Sequence, residues 1–273
     1  MSIQILNNVS SLVAENAVSN TQSSLQNTLT QLSTGLKINS GADDPAGLSI
    51  ADGLGANIAA LTQSSQNASN GVGLLQTADG ALSQVTTLLN QAVTIATEAS
   101  NGGLTTDQAT AADTEFQSIL SEITQIGSTT NFNGSAVFSA TAQTVFTSDG
   151  TTGGATTTST TTGALSATSL GLNTDALTTT AKAQTALTDI TAAIATVAAT
   201  RGTIGASINQ LSADSNVENT EVQNLTDAQN GVQNADIAKV TSNLTQYNVL
   251  EQTGFAALQQ SNSAQQNVLK LLQ

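Results

Sequence analysis

Apolar residues near the start of the chain recur at helical spacing. Four leucines, separated in turn by four, three and four residues, stand at Leu25, Leu29, Leu32 and Leu36. This alternation is typical of the seam along which one helix packs against another. Glycines and turn residues follow it, so the pattern predicts a helix that ends in a connector over residues 34–42.

A helix start is predicted where two acids precede the only proline of the chain. The residues are Asp43, Asp44 and Pro45. Either aspartate can cap free backbone N–H groups at the positive end of a helix dipole, and proline in the first turn loses no hydrogen bond. A metal or acid-catalysis role for the carboxylates is the alternative, but no third ligand or base lies nearby.

The next segment predicts one very long helix. It would run to about Asn101 and measure roughly 80 Å at about 1.5 Å per residue. Each internal glycine costs about 1 kcal/mol relative to alanine, so we expect partners to hold this helix. Every seventh residue from 54 is apolar, namely Leu54, Leu61, Ala68, Leu75, Leu82, Leu89 and Ala96, with Ile58, Val72 and Val93 on a companion row.

A short helix and a small β region are predicted next. Apolar residues from Phe116 to Ile126 keep helical spacing, and this helix should close at Gly127. Asn133-Gly134 is a hairpin signal, since both residue types tolerate positive φ. The Thr/Ser/Gly-rich tract that follows has little to bury and should form an exposed loop or the tip of the β region.

Two further helical stripes complete the chain. The first runs from Ile190 to Leu211, and its one charged residue, Arg201, should snorkel or pair with an acid. Stripes at both chain ends predict that the N- and C-terminal helices pair. The final stripe contains Ile237, Val240, Leu244, Leu250, Phe255, Leu258, Leu269 and Leu272.

These elements predict a mainly α fold. It consists of paired terminal coiled-coil helices and a rod-like bundle of long helices with a small β-hairpin region. The expected organisation is half of the terminal-helix domain with its connector over 1–42, rod helices over 43–130, the hairpin and Thr-rich tract over 131–177, a further rod helix over 178–232, and the other terminal half over 233–273.

Composition narrows the possible functions. The net charge is -14 and only five residues are basic, which argues against nucleic acid as a partner because phosphate binding needs clustered lysine and arginine. The chain has no histidine or cysteine, so we expect no enzyme, cofactor or metal site. No apolar run is long enough to predict membrane insertion, and the N-terminus lacks the basic n-region of a secretory signal, so any export would proceed without a cleaved signal peptide.

Several separated blocks give the chain a specific resemblance. Residues 7–54 contain SSLQ, LSTGLKINS and DDPAGLSIA, residues 67–82 read NASNGVGLLQTADGAL, and the chain ends in QNVLKLLQ. In this order the blocks resemble bacterial flagellins over residues 1–134 and 178–273. Few residues separate the two halves, so the chain resembles a short member without large outer domains.

The resemblance implies a structural subunit that polymerises with itself into the flagellar filament for swimming, with terminal helices that fold on assembly. It also implies export through the flagellar type III channel and partners that include an export chaperone, the filament cap and hook-junction proteins. The alternatives are a hook-filament junction protein and a flagellin-like adhesin that presents the Thr-rich tract. That tract is also a candidate for O-linked sugar.

One departure from the family concerns innate immunity. Many flagellins carry arginines, an aliphatic residue and an acid that contact the flagellin-sensing Toll-like receptor. The matching positions here are Gln91, Val93, Ile95 and Glu115. The aliphatic residue and the acid are kept while both arginines are lost, so we expect poor receptor activation.

Overall fold

The computed structural model describes residues 8–148 and 156–271, which form five helices and two antiparallel strand pairs. Because helices make up most of these described residues, the predicted mainly α class is confirmed. Residues 149–155, near the start of the Thr-rich tract, lie outside the described residues. The elements are α1 (Val9–Thr34), α2 (Pro45–Ala99), α3 (Thr106–Thr129), β1 (Asn131–Phe132), β2 (Ser135–Ala136), β3 (Gln143–Thr147), β4 (Thr156–Thr160), α4 (Thr180–Gln233) and α5 (Ile237–Leu271).

Local chemistry accounts for the helix ends. The Asn8 side chain accepts the Ser11 N–H at 3.0 Å and caps α1. Gly35 takes the left-handed conformation that ends this helix, with φ of 74°. Thr105 and Gln108 form a reciprocal capping box at the start of α3. These bonds satisfy backbone groups that a helix terminus leaves without partners.

The chain divides into two compact units. Unit 1 comprises Met1–Ala56 and Leu225–Gln273, and unit 2 comprises Asn57–Asn224. The divisions therefore fall inside α2 and α4, whereas the sequence placed domain boundaries after residues 42 and 232. Local patterns mark where a helix begins, but they do not mark where its packing partners change.

The core of unit 2 is built from rows of α2, α3 and α4. The sevenfold row from Leu61 to Ala96 is buried throughout. Its companion residues Val72 and Val93 are only half-buried, because a second buried row lies three residues after the first. This second row has small members that the sequence prediction missed: Gly71, Ala78, Val85, Ala92 and Ala99.

Two hairpins accompany the helices of unit 2. The predicted turn at Asn133-Gly134 is confirmed, with φ of 50° and 80° between β1 and β2. The second hairpin pairs β3 with β4 in antiparallel register, so the Thr-rich tract contributes a strand. Gly71 in α2 gives this hairpin room, because a Cβ there would lie 2.8 Å from Val145 Cγ2.

Candidate assembly surface

Helices α1 and α5 run antiparallel in unit 1. At the end formed by the start of α1, Ser261 donates a hydrogen bond to Asn8, and in the middle Gln22 donates one to Glu251. At the opposite end, next to the connector, Leu36 forms a β-bridge with Asn234. As residue numbers increase along α1, the numbers of the contacting residues in α5 decrease, as expected for an antiparallel pair.

The less exposed positions of each helix follow alternating steps of three and four, which places them on one face. This pairing seam is mixed in character, since polar and small residues interrupt the apolar ones. Its α1 members are Ser11, Ala14, Val18, Thr21, Leu25, Thr28 and Leu32, and its α5 members are Val240, Leu244, Tyr247, Glu251, Gly254, Leu258 and Ser261.

Glycine sets the closest approach of the two helices. A Cβ on Gly254 would lie 2.6 Å from Val18 Cγ2, nearer than a carbon contact allows. Val18 itself is 6% exposed, so it fills the space that the missing side chain leaves. The helices can therefore approach closely at this level only with a glycine in α5.

The residues predicted from the terminal stripes occupy two different surfaces. Five of them belong to the pairing seam, and Leu36 lies in the bridge. Leu29, Ile237, Leu250 and Phe255 lie off the seam and are 45–50% exposed. Leu269 is in α5 without a described side chain, and Leu272 lies outside the described residues. The seam members are Leu25, Leu32, Val240, Leu244 and Leu258.

Further exposed apolar side chains were missed by the sequence prediction. Val9, Leu12 and Val13 are 57–63% exposed and share one turn of α1, and Val249 is 53% exposed beside Leu250. Their spacing of three and four residues was visible, but it does not continue the leucine seam. Contiguous exposed apolar side chains are typical of an interaction surface.

Backbone hydrogen bonds also join the two chain segments at the connector end of the helix pair. The Lys37 N–H donates to the Gln233 carbonyl at 2.7 Å, and the Ala235 N–H donates to the Gly35 carbonyl at 2.9 Å. The connector after α1 and the junction between α4 and α5 thus share a short β-like contact. It holds the C-terminal end of α1 beside the N-terminal end of α5.

The two adjacent aspartates have separate roles. Asp44 Oδ1 accepts the Gly47 N–H at 2.9 Å, and Pro45 is the first residue of α2. Asp43 Oδ2 instead accepts the backbone N–H groups of Asn39 and Ser40 and the Ser40 hydroxyl. These bonds, the Asn39 N–H above all, lower the pKa of Asp43. One acid therefore begins the helix while the other orders the connector.

The positions matched to the innate receptor lie in unit 2. Gln91 and Glu115 are exposed on α2 and α3, and Val93 is half-buried. Ile95 is 8% exposed and belongs to the core. Of these four positions, only Gln91 and Glu115 are exposed.

Within residues 8–148 and 156–271, no three His, Cys, Asp or Glu side chains are placed to hold a metal ion. None of the helices described there combines the length and the apolar character needed to cross a membrane.

Two family models match the chain, one in each half of the sequence. The model of the bacterial flagellin N-terminal helical region matches residues 5–143, and that of the C-terminal helical region matches residues 187–272. The chain belongs to the bacterial flagellin family. Flagellins are structural proteins, so the expectation that this member is not an enzyme is confirmed.

Individual relatives agree with the family assignment. A flagellin of Halalkalibacterium halodurans is 34% identical over 90% of this chain and 91% of its own length. A flagellin of Serratia marcescens is 42% identical over 50% of this chain, and the match spans only 39% of that longer protein. The crystal structure of Bacillus cereus flagellin matches with a TM-score of 0.50 and 28% identity, over 56% of this chain and 88% of that one.

Proposed function

We propose that the chain is a structural subunit that polymerises with copies of itself into the extracellular filament of the bacterial flagellum and so serves swimming motility. One observation carries this function: α1 and α5 pair with each other and still leave apolar side chains in water on their outer faces. Membership of the flagellin family supports it, and the matched relatives are named as flagellins, which disfavours the hook-junction alternative.

The two surfaces of the helix pair then have different roles. Seam residues such as Leu25 and Val240 join α1 to α5 within one subunit. Exposed residues such as Leu12, Leu29 and Phe255 contact neighbouring copies. Burying an apolar side chain of this size contributes about 1.5–3 kcal/mol, so a few such contacts repeated along a filament are enough to favour assembly.

Substitution of Phe255 tests the outer surface. Phe255→Ser should leave the helix content of the soluble chain unchanged but strongly slow elongation from filament seeds, followed by light scattering and electron microscopy. Gln252→Ser is the matched control, because Gln252 is an exposed polar residue of the same helix. Growth of Phe255→Ser at the control rate would show that this face is not used.

Self-assembly itself distinguishes the filament subunit from the junction protein. The purified chain should elongate seeds into long filaments without any other component, whereas a junction protein would add a short segment and stop. A chain trimmed of α1 and α5 should fail to elongate. Long filaments from the trimmed chain would refute the assembly mechanism.

The helix pair is also proposed to gain order on assembly. Its seam contains small and polar residues such as Ala14, Thr28 and Gly254, so pairing buries little apolar area, and helices without packing partners are marginal in water. Hydrogen exchange should be fast in α1 and α5 of the soluble chain and slow in the filament. Strong protection of both helices before assembly would contradict this.

Export without a cleaved signal peptide, and contact with an export chaperone, the filament cap and hook-junction proteins, are proposed from the family resemblance. Mass spectrometry of chain recovered from filaments should find an N-terminus without signal-peptidase cleavage. Co-purification from secreting cells should recover a chaperone bound before export.

Poor activation of the innate receptor is proposed as well. Gln91 is exposed but uncharged and Val93 is a half-buried aliphatic residue, so neither arginine-matched position supplies a positive charge. A receptor-reporter assay should give low potency, and Gln91→Arg should raise it. Full potency of the unchanged chain would overturn the proposal.

A further inference from the structure

The chain contains four Asn-Gly pairs, at 70–71, 101–102, 133–134 and 230–231. Such pairs favour attack of the glycine nitrogen on the asparagine side chain, because glycine has no Cβ to block the approach. We propose that Asn101 is a site of spontaneous deamidation. In the folded chain, this modification occurs at Asn101 ahead of the asparagines of the other three Asn-Gly pairs.

The chemistry needs only water. The Gly102 nitrogen loses its proton and forms a bond to Asn101 Cγ, the Cγ–Nδ2 bond breaks, and ammonia leaves with the proton. Water then opens the five-membered imide at either carbonyl and gives aspartate or isoaspartate. No oxidant, reductant or second protein is required.

Ring closure requires the asparagine Cβ and the next backbone nitrogen to rotate onto the same side of the Cα–C bond. Helical ψ values hold these atoms apart, and an interior glycine N–H is engaged in the helix hydrogen-bond ladder. Asn70 lies inside α2 and Asn230 inside α4. Both pairs can react only after the helix opens locally.

The turn at Asn133 also opposes the reaction. Asn133 has φ of 50° and lies between Phe132 and Ser135, which pair across the hairpin. Both turn residues therefore take the left-handed conformation of a two-residue hairpin loop, whose ψ again keeps the reacting atoms apart. This pair must leave the turn to react.

Asn101 has neither restraint. It is exposed in the loop between the end of α2 and the start of α3. Its own backbone N–H donates to the Glu98 carbonyl at 3.1 Å, but within the described residues no hydrogen bond engages its side chain or the Gly102 N–H. A Cβ on Gly102 or Gly103 would meet no atom within 4 Å, so the backbone here has room to rotate.

The product would weaken the end of α2. A carboxylate at position 101 stands at the negative end of the helix dipole, three residues after Glu98, and both charges disfavour it. Isoaspartate would also lengthen the backbone by one methylene in this loop. The modification is independent of filament assembly, so it should occur in the soluble chain.

Peptide mapping tests the proposal. The full chain is incubated in mildly alkaline buffer made with heavy-oxygen water, then digested with a protease that cleaves after glutamate. The glutamates place the four pairs on separate peptides, namely 16–98, 99–115, 123–218 and 222–251. Electron-transfer fragmentation distinguishes aspartate from isoaspartate.

Residue 101 should convert at least about tenfold faster than residues 70 and 230, the factor that about 1.4 kcal/mol of local opening free energy gives. Residue 133 should be intermediate. Unfolding the chain in urea should bring the four rates together, which shows that the fold and not the local sequence sets the order.

Gly102→Ala is the matched variant. It adds a Cβ where the structure has open space, so the fold should be kept while the rate at Asn101 drops several-fold. The proposal is wrong if Asn101 in the folded chain converts no faster than Asn70, or if Asn133 converts first.

Discussion

The Ser64 hydroxyl donates a 2.5 Å hydrogen bond to Oε1 of Glu218, and its oxygen accepts the Ser148 N–H at 2.8 Å. One serine of α2 thus joins the α4 carboxyl group to the end of the β3–β4 hairpin. Glu218 is 6% exposed, and within the described residues its Oε2 is buried without a hydrogen-bond partner. Burial of an incompletely paired carboxyl group favours its neutral form.

The stability of this contact should depend on pH. Burial raises the pKa of Glu218, Asp214 and Glu221 raise it further, and only the Ser64 bond lowers it. A raised pKa in the folded state contributes stability that is present below the unfolded value of 4.5 and is lost as pH rises through the folded value. Glu218→Gln should therefore be more stable than the unchanged chain at neutral pH and less sensitive to pH.

Urea unfolding across a pH series measures this effect. Glu122→Gln is the control, because Glu122 is exposed on α3 of the same unit. Ser64→Ala should cost about 1–3 kcal/mol, since the buried carboxyl group loses its hydrogen bond. Equal pH profiles for the two glutamine variants would contradict the assignment.

A second buried acid lies before α4. Burial raises the pKa of Asp175, and the nearby carboxyl group of Asp189 raises it further. This stability is present below the ordinary value of 3.8 and lost as pH rises through the raised pKa. Asp189→Asn removes the like charge, so it should increase the free energy of unfolding at neutral pH. A decrease across the whole pH range would show that the carboxylate of Asp189 is needed.

Gly254 should limit the pairing of α1 with α5. Gly254→Val forces a side chain into Val18, which as a β-branched residue in a helix has one strongly preferred rotamer. We expect loss of seeded filament growth. The double variant Val18→Ala with Gly254→Ala removes two methyl groups at position 18 and adds one at position 254. The two side chains then fit together, so growth should recover. Gly53→Ala, where a Cβ meets nothing within 4 Å, should leave growth intact.

Two glycines of α2 should respond differently to the same substitution. Gly80→Ala adds a Cβ to open space and should stabilise the helix by about 1 kcal/mol. Gly71→Ala places its Cβ 2.8 Å from Val145 and 3.1 Å from Leu211, and overpacking costs about 1–3 kcal/mol, which offsets or exceeds the helix gain. Denaturant unfolding of both variants should show a higher midpoint for Gly80→Ala and no gain for Gly71→Ala.

Filament growth should accelerate in sulfate. Assembly brings subunits of net charge -14 together, salt screens their repulsion, and sulfate strengthens apolar burial. Seeded growth rates in sulfate and in chloride of equal ionic strength separate the two effects. Rates independent of salt would show that neither limits assembly.

The sequence alone determined the helical architecture and the filament family. Sevenfold apolar spacing, an acid pair before proline and Asn133-Gly134 are local signals, because they depend on the residues that form one helix or turn. The family blocks lie in the same helices. Where such signals act within a few residues of each other, no tertiary information is needed.

Tertiary structure decided which face of each helix meets which partner. Leu25 and Leu29 look equivalent in the leucine stripe, but only Leu25 lies on the pairing seam while Leu29 remains 47% exposed. The glycines at 71 and 254 lower helix propensity. Their structural role is to make room for Val145 and Val18, which chain folding brings next to them from distant parts of the sequence. Likewise Ser64 and Glu218 are 154 residues apart in sequence. Close packing and buried hydrogen bonds depend on atoms that chain folding brings together, so no local pattern records them.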